Sequence, residues 1–141
     1  NPVPTLCTRS NRWYKYRIDH HSQDFMENQV TPRINLSRLR DIGFDLWDPI
    51  GILGVKGFFP GKWSDEKNER IADEYDDYLI EAAHKLRRGV PSETVVEYLF
   101  DVETVGMGLT RNMNQRDRAR AVVTAIKQDY LIWSWPDNND R

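Results

Sequence analysis

Between residues 73 and 88 the apolar side chains Tyr75, Tyr78, Leu79, Ala82, Ala83 and Leu86 return at i, i+3, i+4, i+7, i+8 and i+11. That spacing lays one stripe along an α-helix and needs a core to face. The charges around the stripe agree with it. Asp73 stands where an N-cap belongs, Glu74, Asp76 and Asp77 fill the first turn, and Lys85, Arg87 and Arg88 fill the last. Acids at the start and bases at the end both complement the helix dipole. Gly89 follows at the position of a C′ glycine, and Pro91 makes the stop firm.

Three further segments share the helical period. In residues 35–47 it is carried by Leu36, Leu39, Ile42 and Leu46, with Arg38, Arg40, Asp41 and Asp45 falling elsewhere; Asp48 before Pro49 ends the segment. In residues 92–105, Ser92 is the expected N-cap, Val95, Val96, Leu99, Phe100 and Val102 form the buried side, and Glu93, Glu97, Asp101 and Glu103 form an acidic one. The β-branched residues there also fit a strand, but the three-four spacing favours a helix. In residues 114–133, Asn114 is the cap, the stripe is Ala119, Val122, Val123, Ile126, Tyr130 and Trp133, and Arg116, Arg118, Arg120 and Lys127 make one side basic. The remaining tail is expected to fray.

The predicted fold is all-α: a single small domain of four helices, with a long aromatic-rich loop after the first. Short links at 89–91 and 106–113 predict that helices two, three and four pack as near-antiparallel neighbours. The acidic faces of helices two and three are expected to meet the basic face of helix four.

The first connection, residues 49–72, is punctuated by Gly51, Gly54, Gly57, Pro60 and Gly61 and carries Phe58, Phe59 and Trp63. A loop of this length is uncommon in a compact domain. It is expected either to fold back over the core or to bind a partner, and a short hairpin within residues 51–59 is compatible with its composition. The glycines at 51, 54 and 57 lack the dinucleotide-binding spacing, and Gly61 with Lys62 lacks the spacing and hydroxyl residue of a phosphate loop.

Residues 1–25 show no period. The chain begins with Asn1, and its first methionine is Met26. The expected organisation is a flexible or non-native extension over 1–25 and a helical domain over 26–141. Trp13, Tyr14, Lys15, Tyr16 and Arg17 interleave bases with aromatics, a pattern able to grip single-stranded nucleic acid. Against that, the chain of 141 residues has a formal charge of −2 and a pI of about 5.9, so nucleic acid is not the expected partner. No apolar run approaches the roughly 20 residues needed to span a bilayer, and a cytoplasmic protein is expected. One cysteine, Cys7, excludes a disulfide framework within the chain and a zinc site built on thiolates. Asp19, His20 and His21 are adjacent, a poor geometry for one ion, and His84 reads as a border-of-core residue.

The acids Asp73, Glu74, Asp76 and Asp77 are the most site-like cluster, although capping and dipole effects already account for them. With Glu97 or Glu103 from a neighbouring helix, Asp73, Glu74 and Asp77 form a candidate Mg²⁺ set. All-α nucleotide pyrophosphatases typically carry E-x-x-E on one helix and E-x-x-D on the next. This chain has Glu74 and Asp77 at that spacing, but Glu93, Glu97 and Asp101 recur every four residues instead.

Three short motifs occur in order: W-D-P-I-G at 47–51, D-E-Y-D at 73–76, and Glu103, Thr104 followed by M-G-L at 107–109. Together they resemble a group of small bacterial helical proteins of unknown function, over about residues 36–109. The chain departs from that pattern in its longer aromatic loop and in Val105 and Gly106, where more polar residues are usual. The resemblance implies a helical fold. By analogy it also implies bacterial conflict systems, in which a small acidic protein neutralises a toxin. The residue types by themselves give the corner a physical role: Trp47 and Pro49 are expected to close it against Tyr75 and Tyr78, and Asp48 to bond free backbone N–H groups at a helix start, so that W-D-P-I-G and D-E-Y-D lock the loop ends together.

The first functional expectation is a protein-binding module of immunity or regulatory type with no cofactor, an interaction protein sooner than an enzyme. Its contacts would be Trp47, Asp48, Phe58, Phe59, Trp63, Asp73, Glu74, Asp76 and Asp77, facing a basic partner. The alternative is a carboxylate-metal enzyme acting on a phosphate-containing small molecule, with Mg²⁺ on Asp73, Glu74, Asp77 and Glu97 or Glu103. A third reading is nucleic-acid contact through the N-terminal arm and the arginines of helix four.

Overall fold

The computed structural model describes residues 31–53 and 59–135. The expected extension over 1–25, Phe58, most of the proposed hairpin and the last residues of the tail lie outside the described residues. The fold is all-α, a single small domain with one two-stranded ladder. Among the described residues no helix is long and apolar enough to cross a membrane.

Helix α1, Leu36–Ile42, starts at Asn35, whose side chain accepts the Arg38 N–H at 3.4 Å. It runs on as a π-helical turn, Gly43–Trp47, closed by the Asp48 N–H on the Gly43 carbonyl at 2.8 Å. The extra residue in that turn lets both Phe44 and Trp47 reach the core. Gly43 is there for space: a Cβ on it would lie 2.5 Å from Cδ1 of Leu79, which is itself fully buried.

Helix α2 spans Asp76–Arg87, three residues shorter at its start than the charge pattern predicts. Asp73 is not its cap. Residues 72–75 form turns after a 3₁₀ segment, Glu66–Ile71, that the long connection contains. The reason is tertiary. The Tyr75 ring is buried 5.1 Å from Phe44 and 5.4 Å from Trp47, and this packing takes Tyr75 out of helical register. The end of α2 is as expected. Gly89 has φ +87°, Gly89 N–H bonds Leu86 O, and Val90 N–H bonds Lys85 O, the two bonds of a Schellman motif.

Helix α3, Ser92–Asp101, is capped by Pro91 rather than Ser92. The Pro91 carbonyl accepts from Thr94 and Val95, while the Ser92 hydroxyl accepts from Lys127 Nζ at 2.9 Å. A second π-helical turn, Val102–Gly106, comes next. Helix α4, Gln115–Gln128, stops before Trp133 because Asp129 is captured. Its carboxylate accepts from Arg38 Nε at 2.6 Å and from the Leu131 N–H at 3.0 Å. A 3₁₀ turn, Tyr130–Ile132, leads into β2, Trp133–Ser134, which pairs antiparallel with β1, Arg33–Ile34. The tail therefore does not fray at Ser134, which lies opposite Arg33.

The expected meeting of charged faces holds for α3 and α4. Arg116 bonds both Glu97 oxygens, at 2.7 and 3.3 Å, and Arg120 bonds both Glu93 oxygens, at 3.1 and 3.0 Å. Helix α2 behaves differently. Its Asp76 takes a bidentate pair from Arg40 of α1, at 3.0 and 2.6 Å. The core between the helices contains Leu39, Leu79, Ala82, Val95, Leu99 and Val122, all fully buried.

Candidate functional site

The three motifs converge. Trp47 ends the π turn of α1, and its ring packs 5.4 Å from Tyr75 and 6.3 Å from Tyr78. Its indole N–H donates to Oε1 of Glu103 at 2.7 Å. Glu103 is fully buried, and Arg118 of α4 reaches its two oxygens at 3.1 and 3.5 Å. The M-G-L motif closes the turn that carries Glu103. Gly108 has φ +69°, and the Leu109 N–H bonds the Glu103 carbonyl at 2.9 Å.

Asp48 is the hinge of the corner. It lies in the left-handed region at φ 31°, ψ 62°. That region is uncommon outside glycine but is tolerated by aspartate better than by most residues. Its carboxylate accepts the Ile52 and Leu53 N–H groups at 2.9 and 3.0 Å, and the Tyr75 hydroxyl donates to it at 2.7 Å. The same hydroxyl accepts the Ile50 N–H at 3.3 Å. Asp48 thus organises the turn after Pro49 rather than a helix start. Burial, and then the bond to Asp48, pushes the Tyr75 hydroxyl pKa well above its ordinary value, so Tyr75 is a neutral donor here.

The long loop folds back. Ile52, Leu53, Phe59 and Trp63 pack against the core, and Leu53 and Phe59 form a single parallel bridge. Asn68, buried in the 3₁₀ segment, donates its amide to the carbonyls of Pro60 and Lys62, which ties the loop down. Trp63 donates its indole N–H to Asp41 at 2.8 Å, and the Arg40 guanidinium lies 5.4 Å from its ring centroid.

A cleft of about 530 Å³ opens between α1 and this loop. Its lining includes Asp41, Phe44, Asp45, Asp48, Leu53, Lys62 and Trp63. The helical period alone puts Asp41 and Asp45 on the polar side of the first helix and no further. Asp41 and Asp45 recur at i and i+4, the one signal the sequence offers, whereas Asp48 joins them through its left-handed turn after the π-helical segment.

Of the residues expected at the site, Asp48 and Trp63 line the cleft and Trp47 lies behind it in the core. Phe59 is half-buried on the core. Phe58 lies outside the described residues. Asp73, Glu74 and Asp77 are exposed around the start of α2, and Asp76 is held by Arg40. The five carboxylates of the metal alternative are not assembled. Glu97 is paired with Arg116 at the surface, Glu103 is buried on Trp47 and Arg118, and among the described residues no three or more His, Cys, Asp or Glu side chains are placed to hold an ion. The Arg116 guanidinium holds the Glu97 carboxyl below its usual pKa, and Arg120 does the same for Glu93. His84 lies 5.2 Å from the Trp133 ring at the border of the core.

Comparison with protein-family models, curated proteins and solved structures returned no match to this chain.

Proposed function

We propose that this chain is a protein-binding module of immunity or regulatory type, and that the cleft between α1 and the loop receives an arginine side chain of a basic partner. The observation behind the reading is the cleft lining, which brings Asp41, Asp45 and Asp48 together with Trp63 and has Lys62 as a cationic member. A guanidinium fits both kinds of surface. It pairs with carboxylates through its planar fork and stacks on indole faces, whereas an ammonium does only the first well. Trp63 is already fixed by Asp41 and already borders one guanidinium, that of Arg40. Acidic lining also speeds encounter with a basic partner and suppresses acidic ones. The resemblance to small bacterial helical proteins belongs to the same proposal, as does a cytoplasmic location; both rest on sequence alone.

The test is a titration of the protein with tri-arginine peptide, monitored by NMR. The expected result is saturable shifts at Asp45, Leu53 and the Trp63 indole, absent with tri-glutamate and weakened about tenfold or more by Asp45→Asn or Trp63→Ala. Shifts that are absent, or spread evenly over all acidic surface, overturn the reading. A melt with Mg²⁺ tests the carboxylate-metal alternative. A rise in Tm that Asp73→Ala abolishes would favour it, because a ligand that binds only the folded state must stabilise that state.

A further inference from the structure

We infer that Glu103 is a positioning residue for the cleft: its buried carboxylate holds Trp47, and through Trp47 and Tyr75 it keeps the wall formed by Asp48 and Leu53 in place. Its functional half rests on the cleft reading above; its structural half does not.

A carboxylate with no exposed surface is costly unless its oxygens are bonded. Here the shortest bond comes from the Trp47 indole at 2.7 Å, and the Arg118 contacts are longer, at 3.1 and 3.5 Å. An ion pair alone does not require an indole in this position. The geometry makes Glu103 the acceptor that fixes the end of the α1 turn.

Fixing Trp47 matters because of its neighbour in the chain. Asp48 is a non-glycine residue in left-handed conformation, and such residues persist only where their surroundings over-determine them. Tyr75 grips both neighbours, packing its ring at a tilt against Trp47 and donating to Asp48. Asp48 in turn holds the Ile52 and Leu53 N–H groups, and Asp48 and Leu53 line the cleft. The contacts from Glu103 to Leu53 are therefore continuous. Without an acceptor at 103 the Trp47 N–H is left buried and unbonded, and the ring must shift to satisfy it. Tyr75 and Asp48 then lose the partner against which they are set. This contact chain gives the coupling a physical route.

The deciding variants are Glu103→Met, which removes the acceptor, and Glu103→Gln, which keeps one. Hydrogen exchange is read at the Ile52 and Leu53 amides against Val122 and Val123 in α4. Glu103→Met should speed exchange at 52 and 53 by about tenfold more than at 122 and 123, and Glu103→Gln should leave the ratio near that of the unmodified chain. If Glu103→Met does not fold, Trp47→Phe removes the donor, keeps an aromatic ring, and should give the same local acceleration. An even rise across all four amides, no change at 52 and 53, or equal loosening by Gln and Met overturns the inference. The same variants are titrated with tri-arginine. Binding should weaken about tenfold in Glu103→Met and be retained in Glu103→Gln. If the unmodified chain ignores tri-arginine, the cleft reading falls, and the exchange ratio alone still decides whether Glu103 positions the wall.

Discussion

Trp47 and Glu103 meet through a 2.7 Å hydrogen bond that spans 56 positions of sequence and is buried at both ends. It joins the turn closing α1 to the turn closing α3, and Arg118 of α4 completes the junction. Removing the cation should be costly here, because it leaves a buried charge with the indole as its remaining described side-chain donor. Arg118→Met is expected to destabilise the fold by about 2 kcal/mol, below the range for fully buried pairs because Arg118 is itself partly exposed. Adding Glu103→Gln should recover part of that loss. Urea unfolding of both single variants and the double variant measures the coupling.

Gly43 faces the Leu79 side chain with no room for a methyl group. Gly43→Ala normally favours a helix, but here overpacking should win, with a cost of about 1–3 kcal/mol. Thermal or urea unfolding will show the sign. Combining it with Leu79→Ala should give back part of the strain, although the smaller side chain brings its own loss of packing.

Alkaline pH should weaken the fold through Tyr75. Its hydroxyl pKa is raised above the ordinary 10.0 by burial first and by Asp48 next. The stabilisation is fully present below pH 10 and is lost as pH rises from there towards the folded value, because the unfolded chain ionises first. Ultraviolet titration should find Tyr75 ionising only on unfolding. Tyr75→Phe should remove that component and flatten the stability profile above pH 10.

Acid should weaken it from the other side. Glu93, Glu97 and Asp129 have lowered pKa values, each chiefly through a hydrogen bond from an arginine: Arg120, Arg116 and Arg38. Their contribution is present above the ordinary values of 4.5 for Glu and 3.8 for Asp, and it is lost as pH falls below them towards the folded values. The Glu93 and Glu97 pairs lie at the surface and the Asp129 pair is partly buried, so the effect should be modest and should shrink further in high salt, least for Asp129. Melting curves from pH 6 down to pH 2, at low and high salt, provide the check.

The architecture was legible where local pattern and packing agree. The α2 stripe and the Gly89 stop can be read directly, since one periodicity and one backbone requirement account for both. Helix starts were less legible. Asp73 looks like a cap, but burial of the Tyr75 ring displaced the start to Asp76. Ser92 looks like a cap too, but Pro91 occupies the position. The β1 and β2 pairing has only two residues on each strand and no periodicity to betray it. At the site, the W-D-P-I-G corner and its contact with Tyr75 can be anticipated from residue types. The cleft cannot, because Asp41 and Asp45 become lining residues only once the loop folds back to bring Trp63 onto Asp41. The role of Glu103 is hidden for the same reason: its partners Trp47 and Arg118 come from two other helical segments.

The short ladder between Arg33 and Ser134 has a mechanical consequence. Arg33 and Ser134 stand opposite each other, so a load applied at these two residues is borne first by β1 and β2. These strands are pulled apart bond by bond, like a zip, before force reaches the helices.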